Sequence, residues 1–253
     1  MKISPLKSRC LRNYIVIAFF LTVCICFFNS TIATCFIYSA RALKTSIGIA
    51  QCKWQYGSNV RKRLQNDFHR IGCLYPPKKM LLIGFKDERV LEVWVASSID
   101  TNYKLLRKYP VLGASGHLGP MLNEGDGQVP EGFYRVDWLN PNSNFHLSLH
   151  ITYPNELDKV EAENEGRKNL GGDIMIHGGG ASIGCLAMGD KTIEDLFILA
   201  VETGLENIDI IISPVDFRIR KLPPDMAVQK EWLLHLYDSI KSKLPDANSQ
   251  HPK

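Results

Sequence analysis

The stretch Asp173-Ile-Met-Ile-His177-Gly-Gly-Gly-Ala-Ser182-Ile-Gly184-Cys185-Leu-Ala-Met-Gly-Asp190 decides how the rest of the chain is read. Ile174-Met175-Ile176 is an apolar run ending in a histidine, and three glycines follow it. Gly178 to Gly180 free the backbone to turn sharply, so a histidine at a strand end and a cysteine just past the turn can face each other. A thiol needs a base to become a nucleophilic thiolate, and a neighbouring imidazole is the usual one. Cys185 is therefore a candidate nucleophile and His177 its candidate base. The glycine before the cysteine lets a substrate carbonyl approach the N–H groups of Gly184 and Cys185, an expected oxyanion hole. A Gly-rich loop around a buried structural cysteine fits the same letters, and spacing alone does not separate the two readings.

The 253 residues suffice for one sizeable domain with a helical appendage. The formal charge of +4 is a local effect, because residues 1–41 hold five basic residues and no acid. The remainder carries 25 basic residues against 26 acidic, a net of −1. Such a body has no basic excess to neutralise phosphates, which argues against a nucleic-acid partner.

Four basic residues precede the apolar run from Tyr14 to Phe28, which is long for a signal-peptide core and short for a full span. Residues 1–41 are read as a signal peptide or membrane anchor, with the body exported to the periplasm or cell envelope and membrane contact confined to this segment. Cys10, Cys24, Cys26 and Cys35 lie in that segment, leaving Cys52, Cys73 and Cys185 in the body. In an oxidising compartment Cys52 and Cys73 are the natural pair, with two buried free thiols as the alternative, and pairing leaves Cys185 as the odd thiol.

Along the body, Val60, Leu64 and Phe68 recur at four-residue spacing and predict a short helix from Ser58 or Asn59 to Phe68, ended by Gly72. Lys79–Lys86 and Arg89–Ala96 read as a hairpin, and a further strand is expected over Tyr109–Gly113. The loop from Gly113 to Gly132 is long for a compact domain and is marked as functional. It contains His117, read as an exposed loop histidine, and Glu124 and Asp126, which lack a matching ligand set, so no metal is expected. A strand over Gly132–Trp138 is followed by a turn at Asn140–Asn144. Phe145, Leu147, Leu149 and Ile151 then alternate inward against His146, Ser148 and His150, which read as a solvated face. Residues 154–169 read as an exposed excursion. Gly189-Asp190 starts a helix whose dipole would lower the Cys185 pKa if the cysteine sat at its N-terminus. Ile208–Ser213 is a buried strand, and Val228–Leu244 an amphipathic helix expected to pack on the domain.

Ile176-His177-Gly178 and Ser182-x-Gly184-Cys185, with Pro130-Glu131-Gly132-Phe133-Tyr134 before them, are similar to the active-site signature and strand entry of the L,D-transpeptidase catalytic domain (YkuD-type). The short His-to-Cys interval and the Cys-Leu-Ala-Met ending resemble the YafK-like branch. The resemblance implies an α+β, β-rich fold, a mixed β-sandwich with a helix after the nucleophile and a C-terminal helix. The resemblance covers roughly residues 78–217 as the catalytic domain, which leaves the signal peptide or membrane anchor (1–41), a short helical extension (42–77) and a C-terminal amphipathic helix and tail (218–253) on either side.

The function implied is cofactor-free acyl transfer on diaminopimelate-containing peptidoglycan stem peptides, in cell-wall organisation and cell shape. Cys185 would form a thioacyl-enzyme with His177 as base, supported by Gly184, Ser182 and Gly178. Hydrolysis by the same mechanism and a non-catalytic wall-binding role are the alternatives, and a wall-attached lipoprotein is a further expected partner. Three departures accompany the resemblance: Ile183 where the familiar pattern has histidine, Gly178 where it often has Ser or Thr, and Ala187 where it commonly has Arg.

Overall fold

The computed structural model describes residues 42–98, 102–223 and 230–246. Residues 1–41, where a signal peptide or membrane anchor was expected, therefore lie outside the described residues, among which no helix is long and apolar enough to cross a membrane. The chain divides into a unit ending at Ile47 and a second from Gly48 onward, and the second holds the whole of the sheet.

Helix α1 spans residues 42–71, much longer than expected. Ser58 and Asn59 lie in its interior and cap nothing, because the four-residue stripe of Val60, Leu64 and Phe68 continues backward through Tyr56 to Cys52. The helix ends where expected, at Gly72, which takes a φ of 59° that a side chain would resist. About twenty residues of α1 thus lie between Cys52 and Cys73, roughly 30 Å of helix at 1.5 Å per residue. The expected disulfide is overturned: both thiols are free and buried, Cys73 accepting a hydrogen bond from Ser97 Oγ at 3.1 Å. Cys185 is then one of three free thiols among the described residues, so its lack of a partner no longer singles it out.

The α+β architecture is built on eight strands in one sheet: β1 (Lys79–Phe85), β2 (Val90–Ala96), β3 (Lys104–Pro110), β4 (Gly132–Ser143), β5 (His146–Ile151), β6 (Met175–His177), β7 (Leu186–Ala187) and β8 (Ile208–Ser213). Their order is β3-β2-β1-β8-β4-β5-β6-β7. The sheet is mixed, since β1 pairs parallel with β8, β6 parallel with β7, and the other neighbours antiparallel. β4 runs straight through Asn140-Pro141, where a turn was expected, because register shifts after Val136 and Asn140 let the strand bend without leaving its partner β5. The segment expected to begin a strand at Tyr109 instead ends β3, and Gly113 makes only a single bridge, to Ala187.

Alternation sorts the strands onto two faces. Met80, Leu82, Leu91, Val93, Ile210 and Ile212 enter an interior shared with Val60, Leu64 and Phe68 of α1 and with Leu196 and Phe197 of α3 (Asp190–Thr203). Leu149, Ile176 and Leu186 from the other end of the sheet join the same interior, so the sheet curls over on itself. A methyl added to Gly84 of β1 would lie 3.6 Å from Leu186 Cδ1 of β7. The opposite face, Leu81, Ile83, Trp94 and Ile211, is covered by Leu233, Leu236, Tyr237 and Ile240 of α4 (Glu231–Lys243). The excursion at 154–169 contains α2 (Glu156–Asn164), with a capping box between Asn155 and Asp158.

The loop between β3 and β4 has no regular structure but is firmly tied. Lys86 Nζ donates to Gly119 O (2.6 Å) and Val129 O (2.8 Å) and lies 3.0 Å from Glu131 Oε1. Glu131, fully buried, also accepts from Gly119 N–H (2.8 Å) and from Tyr237 Oη of α4 (2.6 Å). Asp126 spends its carboxylate on the N–H groups of Leu122, Asn123 and Gln128. Removing the cation alone strands a buried carboxylate, so Lys86→Met is expected to cost about 3–5 kcal/mol of stability, read as a lower urea midpoint. A stability within a few tenths of a kcal/mol of the parent would contradict this assignment.

Candidate active site

His177 ends β6, and Cys185 immediately precedes its neighbour β7. β6 and β7 run parallel with Ile176 opposite Leu186 and His177 opposite Ala187. Ile176 and Leu186 point into the interior, so alternation turns His177, and Cys185 just before Leu186, toward the other face. The structure thus brings together the two residues on which the sequence reading rests, with Ser148 of β5 directly opposite His177 on the far side of β6.

The imidazole is 3% exposed and fixed. His177 Nδ1 lies 2.6 Å from Gly178 O, which only accepts, so Nδ1 carries the proton and Nε2 of the neutral ring is left as an acceptor. Phe145 lies over the ring with centroids 4.6 Å apart and planes at 34°. Phe145 was expected inward; it is 52% exposed because the tight turn from β4 into β5 carries it outside the interior, beside His177. Gly178 explains itself sterically. A Cβ there would sit 2.5 Å from Phe145 O and 2.8 Å from Asp190 Oδ1, so a serine or threonine does not fit.

The thiol has different surroundings from those expected. Four residues separate Cys185 from Asp190 at the start of α3, so the helix N-terminus serves the preceding loop instead, Asp190 Oδ1 accepting from Gly179 N–H at 2.8 Å. The nearest donor to Cys185 Sγ is Met175 N–H at 3.3 Å, and Asp173 O lies 4.0 Å away. Burial, reinforced by the nearby Asp173 charge, pushes the Cys185 thiol above its ordinary pKa, outweighing the Met175 N–H and Ser182 hydrogen bonds that favour the thiolate. Among the described residues no hydrogen bond joins Sγ to His177.

The expected oxyanion donors are both engaged. Gly184 N–H donates to Ser115 Oγ (2.7 Å) and Cys185 N–H to Ser182 Oγ (3.0 Å). Ser115 in turn donates to Gly127 O at 2.6 Å, within the loop held by Lys86 and Glu131. Ser115 was missed in sequence because a small hydroxyl residue in a Gly-rich loop carries no periodic signal. Ser182 acts as an acceptor within the turn, and Ile183, at the position of the familiar second histidine, is 85% exposed. Ala187 is fully buried against Gly113 and the 180 turn: a methyl on Gly113 would lie 3.3 Å from Ala187 Cβ and 2.5 Å from Gly180 O. No long side chain has an exit there.

The remaining candidates disperse. His146 packs edge-on against Tyr56 and lies 3.3 Å from Glu194, and His150 contacts Asp137 at 2.5 Å under a stacked Trp138. His150 is therefore half of a partnered pair and no simple solvated residue. His117 lines a cleft with Ser115 and Arg89.

The curled mixed sheet carries an imidazole at the end of β6 and a thiol immediately before the adjacent β7, with helix α3 following. The family model of the L,D-transpeptidase catalytic domain (YkuD) matches residues 83–210, half of the chain, and the protein belongs to that family. It is 36% identical over 135 residues to YafK of Escherichia coli (strains K12 and O157:H7), a provisionally assigned L,D-transpeptidase. That match covers 51% of this chain and 52% of YafK, so the chain spans about half the length of the curated relatives it matches. Among solved structures, the helical cell shape determining protein Pgp2 from Campylobacter jejuni aligns with a TM-score of 0.45 at 23% identity, over 55% of this chain and 48% of its own. L,D-transpeptidase 1 of Mycobacterium tuberculosis aligns with a TM-score of 0.31 at 13% identity, over 53% and 62% respectively.

Because its pKa is raised, Cys185 is expected to rest as the thiol at neutral pH. Iodoacetamide alkylation of Cys185, followed by peptide mapping, should keep accelerating with pH beyond the midpoint of an unstructured cysteine peptide. A rate already level below pH 7 would mean a resting thiolate and sink this expectation.

Proposed function

We propose that the protein is an exported cell-wall acyltransferase of the L,D-transpeptidase type, acting on peptidoglycan stem peptides from the periplasmic side of the envelope. Cys185 Sγ attacks the carbonyl of the third stem residue, a diaminopimelate, as His177 Nε2 removes the thiol proton. The tetrahedral intermediate collapses by breaking the C–N bond, His177 returns the proton to the leaving amine, and a thioester on Cys185 remains. An acceptor amine then attacks the thioester to form a new amide and release the thiol. Water in place of the amine gives hydrolysis, and the lysine side chain of a wall-attached lipoprotein is an alternative leaving group.

The observation that carries this reading is the buried imidazole whose Nδ1–H is held by Gly178 O, one strand from the thiol. A fixed tautomer with Nε2 unprotonated is what a thiol with a raised pKa requires, since it cannot ionise unaided at neutral pH. Ser182 supports the turn: its oxygen accepts from Cys185 N–H, and its hydroxyl favours the Cys185 thiolate.

Incubating the soluble body with stem tetrapeptide and following intact mass tests the reading. A thioacyl adduct is expected on the parent and not on Cys185→Ala, with His177→Gln slowing its formation by roughly 10²–10⁴-fold. Absence of any adduct, with no turnover of wall fragments, would remove the enzyme reading. A labelled amine then separates transfer from hydrolysis.

A further inference from the structure

His150 and Asp173 stand in the same row of the sheet as the thiol. Trp138 of β4 lies opposite His150 of β5, and His150 lies opposite Met175 of β6. Met175 N–H donates to Cys185 Sγ at 3.3 Å, and Asp173 O, two residues before Met175, lies 4.0 Å from the same sulfur. His150 and Met175 share the outward face, because Leu149 and Ile176 beside them enter the interior. The thiol therefore has a histidine two strands along the sheet and an aspartate whose own carbonyl it faces.

Neither side chain is fully used. His150 Nδ1 lies 2.5 Å from Asp137 Oδ1, and Trp138 stacks on the ring with centroids 5.4 Å apart. The carboxylate only accepts, so Nδ1 carries the proton and Nε2 of the neutral imidazole is left as an acceptor. Asp173 Oδ1 faces that nitrogen at 3.8 Å, beyond hydrogen-bond reach. The Asp173 side chain is 94% exposed, and no lysine or arginine among the described residues lies within 4.0 Å of its carboxylate. Burial is the larger cause of the raised Cys185 pKa and the Asp173 charge adds to it, so this carboxylate works against the thiolate until a cation meets it.

We propose that Asp173 and His150 bind the side-chain ammonium of the donor stem's third residue, the one whose carbonyl Cys185 attacks, so that the site selects stems in which that amine is free. This rests on the reading that the site acts on diaminopimelate-containing stems. An ammonium has three donors, enough for the carboxylate and the ring nitrogen together. A side chain of lysine's length carries it from a carbonyl held at Sγ, past Asp173 O, to the carboxylate of the same residue. A stem already cross-linked through that amine presents an amide instead, which has lost the charge and two of the three N–H donors. The bound cation also offsets the Asp173 charge beside the thiol, which couples recognition of the donor to readiness of the nucleophile.

Calorimetry on the Cys185→Ala protein tests this without turnover, using a stem tetrapeptide with its side-chain amine either free or acetylated. The free amine should bind roughly 5- to 30-fold tighter, between the range of an exposed ion pair and that of a charge-assisted hydrogen bond. Asp173→Asn, which removes the charge at a φ of 53° that asparagine also tolerates, should abolish the preference. His150→Phe, which keeps a ring stacked on Trp138 and removes the acceptor, should reduce it in part. Equal affinities for the two peptides, a preference that survives in Asp173→Asn and is therefore steric, one untouched by His150→Phe, or binding of neither peptide would each overturn the proposal. Loss of amine transfer in Asp173→Asn with both donors bound alike would assign the pair to the acceptor and overturn it as well. A preference abolished by Asp173→Asn, with no thioacyl adduct on the parent, would instead leave this inference standing and remove the catalytic reading.

Discussion

The buried pair of Lys86 and Glu131 is the constraint on which the rest of the structure leans. A buried ion pair survives only when its remaining donors and acceptors are satisfied. Here the ammonium also meets Gly119 O and Val129 O, and the carboxylate also takes Gly119 N–H and Tyr237 Oη. Burial pulls the Lys86 pKa down while the Glu131 charge pulls it up. One pair thus joins the end of β1, the long loop, the entry to β4 and α4. A loop too rich in glycine to order itself acquires a fixed shape from outside.

That shape matters because the site is assembled from segments far apart in sequence. Ser115 on the loop fixes the Gly184 N–H, β6 supplies the imidazole, and Asp190 at the head of α3 ties the glycine turn through Gly179. α3 is held in its turn by Arg63 of α1, which meets both Glu194 and Asp195, and by Tyr109 Oη on Asp195. The L,D-transpeptidase domain is therefore braced by α1, which begins well before the residues 83–210 matched to the family.

Much of this was legible in the letters. Strands with alternating or continuous apolar runs, such as Val90–Ala96 and Ile208–Ser213, announce themselves, and so does the stripe through Leu64 and Phe68. That the segment ending in His177 would lie beside the segment just after Cys185 was readable from the glycines between them, which let the chain turn back on itself. What escaped depends on partners distant in sequence. The start of α1 was misplaced because Ser58 looks like a cap until Tyr56 and Cys52 are seen packed in the same stripe. β7 is two residues long and exists only because β6 and Gly113 lie on either side of it. Phe145 fits an inward alternation that the chain abandons at the hairpin turn, and Ser115 gains its role from a residue 69 positions away.

The free state of Cys52 and Cys73 reaches beyond a corrected pairing. With α1 held by apolar packing and by ion pairs such as Arg61 with Glu202, no covalent cross-link among the described residues stands between the fold and a reducing solution. A reductant kept in solution to preserve Cys185 therefore has no disulfide to break among the described residues of the scaffold.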